Sequence, residues 1–180
     1  SLLVDGRAAA AQGGLPLPAS IAGVIEARVK KLSAPALALA RVAAVAGNDS
    51  SIDMAAHILR QRIVDLADPW SELEAAHIFN GDAFAHDLIF EAVRASVPPA
   101  IERRLHADVA AWMELHDGSS ARMAEHWWAA GQARAAGRCW QQAAAAARGA
   151  SRRAEEAEFL ERGAAAFRAS DDRAEEADCL

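Results

Sequence analysis

The stretch "NGDAFAHDLIFEAV", residues 80–93, is where the chain changes character. On either side the sequence is rich in alanine and spaced for helices. Here a turn, a short apolar piece and a polar pair, His86-Asp87, stand together. Asn80-Gly81, between "HIF" and "DAFAH", is a hairpin signal, because these residue types tolerate the positive φ that a two-residue turn demands. "HDLIFEAVRASV" then returns to helical spacing and stops at Pro98-Pro99. His86-Asp87 is therefore either a chemical site or the first turn of a packed helix.

Upstream, "DGRAAAAQGGLPLP" reads as linker, punctuated by paired glycines and two prolines, and residues 1–18 are assigned to it. In "SIAGVIEARVKKLS" the apolar residues Ile21, Val24, Ile25, Val29 and Leu32 recur at three and four, one helix face with Ser20 as its cap. "SAPALALARVAAVAG" predicts a central helix capped by Ser33, with Pro35 in the first turn and Gly47 at the end; only Arg41 breaks its apolar interior. A shorter helix starts near Ser51. In "DPWSELEAAHIF", Asp68 is the expected cap, Pro69 the first helical residue, and Trp70, Leu73 and Ala76 one face. Three helices with a hairpin near the end predict a winged-helix-like domain over residues 19–97. A plain helical bundle with a long loop is the alternative.

From Pro99 onward helix follows helix. "PPAIERRLHADVAAWMELHDG" puts Ile101, Leu105, Val109, Trp112 and Met113 on one stripe. Further helices end near Gly131 and Gly149, and "DDRAEEADCL" begins another. "AAGRCWQQAAAAA" resembles "RAEEAEFLERGAAAF", with small residues where helices approach and Trp140 or Leu160 filling the gap. This rhythm predicts antiparallel, tetratricopeptide-like helical hairpins over residues 98–180, departing from the strict repeat length. The fold class expected is thus mainly α.

Composition narrows the function. The chain has 180 residues, 53% hydrophobic, with a net charge of −6. An acidic chain is not built to neutralise phosphates, so no direct nucleic-acid partner is expected. Charged residues interrupt every apolar run, so no membrane span is expected. Cys139 and Cys179 match no metal-binding spacing, and a reducing, cytoplasmic setting is the default. No signal peptide is visible. The first residue is Ser1, not Met, and the expectation is a piece of a longer protein.

Catalytic motifs are not found either. No G-x-x-x-x-G-K-[ST] or G-x-G-x-x-G occurs, so the chain lacks a backbone cradle for nucleotide phosphates. The serines fall at helix starts, where capping explains them. His86, His106, His116 and His126 share no ligand spacing; His106 and His126 are expected at helix–helix contacts beside carboxylates. The expectation is a non-enzymatic chain. Trp127-Trp128 are adjacent helix positions about 100° apart, so both cannot face one core. That makes the pair a candidate partner surface.

The order of "LPASIAGVIEARVKKLSAPALALARVAAVAG", "FAHDLIFEAV", "ERRLHADVAAWME" and "ARMAEHWWAAGQARAAGRCWQQAAAAA" resembles the region downstream of the ATPase core in large bacterial signal-transduction ATPases. These include LuxR-type ATP-dependent transcriptional regulators and ATPases fused to nucleotide cyclases. The resemblance spans residues 15–169. In such proteins an AAA-like ATPase precedes a winged-helix domain, and tetratricopeptide-like helices follow. "AHDLI" at 85–89 resembles their Met-His-Asp motif, with Ala85 in place of methionine. The resemblance implies that His86 faces the β-phosphate of bound ADP in the parent protein, while Asp87 supports the helix start. It implies ATP or ADP as the parent's cofactor and none for this chain alone. Implied partners are an upstream nucleotide-binding domain and a protein or small-molecule inducer. The function expected is non-catalytic regulation within a signalling ATPase. A DNA-binding winged-helix regulator is the alternative, which the acidic residues Asp68, Glu72 and Glu74 of the reader helix disfavour.

Overall fold

A computed structural model describes residues 21–172, 176, 177 and 179; the expected linker and the Ser20 cap lie outside the described residues. α1 (Ile21–Lys30), α2 (Ala34–Ala46), α3 (Ile52–Leu59) and α4 (Ala67–Ala75) lead to a hairpin of β1 (Phe79–Asn80) and β2 (Ala83–Phe84). α5 (Asp87–Ala95), α6 (Pro99–Leu115), α7 (Ser120–Ala129), α8 (Ala133–Gly149) and α9 (Arg153–Ala169) follow. The described residues thus form a mainly α-helical fold with one small two-stranded hairpin. None of its described helices is long and apolar enough to cross a membrane.

Local chemistry sets the helix starts. Ser33 Oγ accepts from Ala36 N–H at 3.3 Å, and Ser51 Oγ from Met54 N–H at 3.1 Å. Each satisfies a donor that the first turn leaves without an intrahelical partner. Asp68 is not a cap. A 3-10 turn over Ile63–Leu66 runs straight into α4, so the helix begins at Ala67 and its N-cap is Leu66. Asp68 and Pro69 then sit inside the first turn, where a carboxylate suits the helix dipole and a missing N–H costs nothing.

The hairpin forms where expected, one residue out of the expected register. Phe79 pairs with Phe84 and Asn80 with Ala83, so the two-residue loop is Gly81-Asp82 rather than Asn80-Gly81. Gly81 has φ +65°, while Asp82 stays out of the left-handed region. Glycine first is the type II′ pattern. The register follows from Phe79, which must face the core. Edge-on aromatic contacts link Trp70 to Phe79 (5.3 Å), Phe79 to Phe84 (5.0 Å) and Phe84 to Phe90 (5.5 Å), joining α4, the hairpin and α5.

Most of the helices end alike. The N–H groups of Gln61, Ile78, Gly118, Gln132, Arg152 and Asp172 bond carbonyls five residues back. The residue before each has positive φ: Arg60, His77, Asp117, Gly131, Ser151 and Asp171. These are Schellman endings, usually built on glycine; here only one is. Arginines near helix ends also clasp glutamates eight residues on: Arg94 to Glu102, Arg148 to Glu156 and Arg168 to Glu176.

Two main cores result. The first gathers Ile25, Val29, Leu39, Val42, Leu73, Ile78 and Val93 from α1–α5. Arg41, the polar break in α2, reaches the end of α5, donating to Ser96 Oγ (3.2 Å) and its carbonyl (2.8 Å). The second joins Val109, Met113, Met123, Cys139 and Trp140 from α6–α8, and takes in Ala46 and Met54 from the first half. The α6–α8 helices therefore pack directly against the ends of α2 and α3. Ile101 departs from its expected stripe and is 51% exposed. α8 and α9 touch closely through Gly137 and Gly163. A Cβ on Gly137 would lie 2.6 Å from Phe167 Cε1, and one on Gly163 would lie 3.7 Å from the Gly137 carbonyl.

Candidate functional site

His86 is the N-cap of α5. Its backbone is extended (φ −162°, ψ 148°), and Nδ1 accepts from Leu88 N–H at 3.2 Å. Accepting at Nδ1 requires the neutral ring with its proton on Nε2. The exposed ring keeps a donor, Nε2–H, that the cap does not use. Asp87 occupies the first turn. A groove of about 610 Å³ lies beside this helix start, with Gly47, Asn48 and Ser50 along one side and Asp87 and Phe90 along another.

The turn that forms one side of that groove also carries Asp49, and Asp49 leads to a buried polar chain. His106 on α6 and His126 on α7 face each other with Nδ1 atoms 2.8 Å apart. His126 Nε2 lies 3.4 Å from Asp49 Oδ2, which Arg122 Nε also contacts at 2.9 Å. His106 Nε2 lies 4.0 Å from Glu102 Oε1, and Arg94 Nε reaches the same oxygen at 3.4 Å. The chain therefore runs from Arg94 on α5 through Glu102, His106 and His126 to Asp49 after α2. Both imidazoles are under 10% exposed.

With both rings neutral, one proton assignment satisfies the geometry. His106 donates Nδ1–H to His126 Nδ1, and His126 donates Nε2–H to Asp49. Burial is the main force holding the rings neutral: it drives His106 down to about 4, with His126 and Arg94 adding to the effect and Glu102 opposing. Burial also lowers His126, against the Asp49 hydrogen bond that favours its cation.

The sequence expectation of helix-contact histidines beside carboxylates matches this placement, but not that the two meet. Glu102–His106 and Arg122–His126 are each four apart on a helix, a signal that puts each pair on one face. Asp49, 77 residues from His126, carries no such signal.

The tryptophans face different ways. Trp127 is half-buried and packs on the second core, whereas Trp128 is 50% exposed. Trp128 borders a shallow pocket of about 350 Å³ with Glu125, Trp140 and Arg162. The Arg162 guanidinium lies 4.9 Å over the Trp140 ring and pairs with Glu125 (3.3 Å) and Glu158 (2.7 Å). Cys139 is buried, and burial raises its thiol pKa, so it packs rather than reacts. The described residues hold no cluster of three or more metal-ligating side chains.

Comparison with protein-family models, with curated proteins and with solved structures gives no match. The functional reading therefore rests on these residues.

Proposed function

We propose that the chain is a non-catalytic regulatory and interaction module of a larger bacterial signalling ATPase, coupling the nucleotide state of an upstream domain to partner or inducer binding on a helical array. The observation that carries this reading is the position of α5. Its first residue is preceded by His86, whose Nε2–H suits a phosphate oxygen at a helix N-terminus. Its last turn holds Arg94, the outer end of the buried chain to His106 and His126. A nine-residue helix thus joins a candidate nucleotide contact to the junction with α6–α7.

The winged-helix reading of residues 19–97 draws support from the order of α2, α3, α4, hairpin and α5. The repeat reading of residues 98–180 draws support from consecutive packed helices and from left-handed turn residues at 131, 151 and 171, twenty apart. Two such units make a pair longer than a tetratricopeptide repeat, so a looser helix-hairpin array fits better. Trp128 is the surface we assign to a protein partner. Direct DNA binding fits poorly: Asp68 and Glu74 are exposed on α4, which carries no Lys or Arg, and Glu72 is tied to Ser33.

His86→Asn in the full-length protein tests the reading. Asparagine is a strong N-cap, so the helix start is kept while the imidazole donor is lost. Reduced ADP retention with higher basal output is expected. Unchanged retention in the folded variant, or no phosphate-binding loop in the preceding coding sequence, would overturn it.

A further inference from the structure

We propose that the His106–His126 pair is a proton-operated latch, holding the α6–α7 corner to the turn after α2 while neutral and releasing it on taking up two protons. The inference stands on the pair's geometry and does not need the nucleotide reading.

The neutral pair has two N–H protons for four ring nitrogens. One is shared between the Nδ1 atoms at 2.8 Å, and the other lies between His126 Nε2 and Asp49. A first added proton has only His106 Nε2 to occupy. It places a cation in a buried site where the facing carboxylate, Glu102, is 4.0 Å away and already engaged by Arg94. A second proton must take His126 Nδ1. Two N–H groups then point at each other across 2.8 Å, and the shared hydrogen bond cannot exist. The helices must part or the protons must leave.

The charged groups facing the pair come from every neighbouring element: Glu102 on α6, Arg94 on α5, Asp49 after α2, and Arg122 and Glu125 on α7. Asp49 and Glu102 favour the cations, but each also neutralises an arginine. Burial depresses both histidines, His106 to about 4. The closed state therefore prefers the neutral pair, and opening gains ground as pH falls from the ordinary histidine value near 6.5 towards 4. Opening releases Asp49, which sits on the turn beside the α5 groove, so the first half and the helical array lose a shared anchor.

Hydrogen–deuterium exchange across a pH series, corrected for intrinsic rates, reads the latch. Between pH 7.5 and 5, protection of α6 and α7 should fall by about tenfold or more relative to α2. His106→Asn should flatten that fall, because its amide can donate to His126 Nδ1 but does not titrate. Equal protection at both pH values, or an undiminished fall in folded His106→Asn, would overturn the proposal. Should that variant not fold, ring ¹⁵N shifts of the wild-type protein decide. Both rings neutral at pH 7, and charging together as protection is lost, support the latch. Both rings charged with the helices still packed refutes it.

Discussion

Gly137→Ala should destabilise the protein, although alanine is the better helix former. A Cβ at 137 would meet Phe167 at 2.6 Å (Cε1), 2.7 Å (Cζ) and 2.9 Å (Cδ1), and Phe167 is fully buried. Ordinary carbon contacts need roughly 0.8 Å more. The ring has no exit, so α8 and α9 must separate or the ring must leave its rotamer. Such overpacking costs about 1–3 kcal/mol, and contact with three ring atoms argues for the upper end. Helix propensity returns about 1 kcal/mol, leaving a net loss of about 2 kcal/mol. Gly149→Ala is the internal control. It lies in the last turn of the same helix with nothing within 4 Å, and should stabilise by about 0.5 kcal/mol. Urea unfolding followed by tryptophan fluorescence measures both. In Phe167→Leu the penalty of Gly137→Ala should shrink, a coupling that a double-mutant cycle isolates. Gly137→Ala as stable as the wild type would show that α8 and α9 do not approach this closely.

Ser151→Gly should stabilise by about 1 kcal/mol, because Ser151 holds φ +60° where glycine is unstrained; a rise in urea midpoint checks it. Global stability should fall on acidification. His106 has its folded pKa lowered to about 4, so its contribution is full above the unfolded value near 6.5 and is lost as pH drops through 4. The loss, of the order of 2–3 kcal/mol, appears as falling urea midpoints between pH 7 and 4. In the isolated chain His86→Ala should cost about 0.5–1 kcal/mol through the lost cap, whereas His86→Asn should cost almost nothing. Neither form should retain ADP in equilibrium dialysis, since no phosphate cradle is present.

Much of this architecture is legible where one residue type has one good use. Ser33 and Ser51 read as caps and are caps. His86 reads as a helix start and is one. The hairpin is visible from Asn80-Gly81, but its register depends on which phenylalanine meets the core, a tertiary matter. The start of α4 misleads because Asp68-Pro69 is a strong local signal that the preceding 3-10 turn overrides. The ends of α3 and α4 are hard to see because Arg60 and His77 take a left-handed conformation that glycine normally advertises. The histidine chain is half legible. Its spacing of four on α6 and α7 is local, but the meeting of the two rings and the approach of Asp49 are made by packing alone.

The measurement that tests the coupling account most directly is hydrogen–deuterium exchange of the full-length protein with and without ADP. The account predicts that ADP raises protection at the start of α5 and, through Arg94 and Glu102, in α6 and α7 around His106 and His126. It predicts that His86→Asn removes both effects together. A change confined to the start of α5, or a response of α6 and α7 that survives His86→Asn, would contradict it.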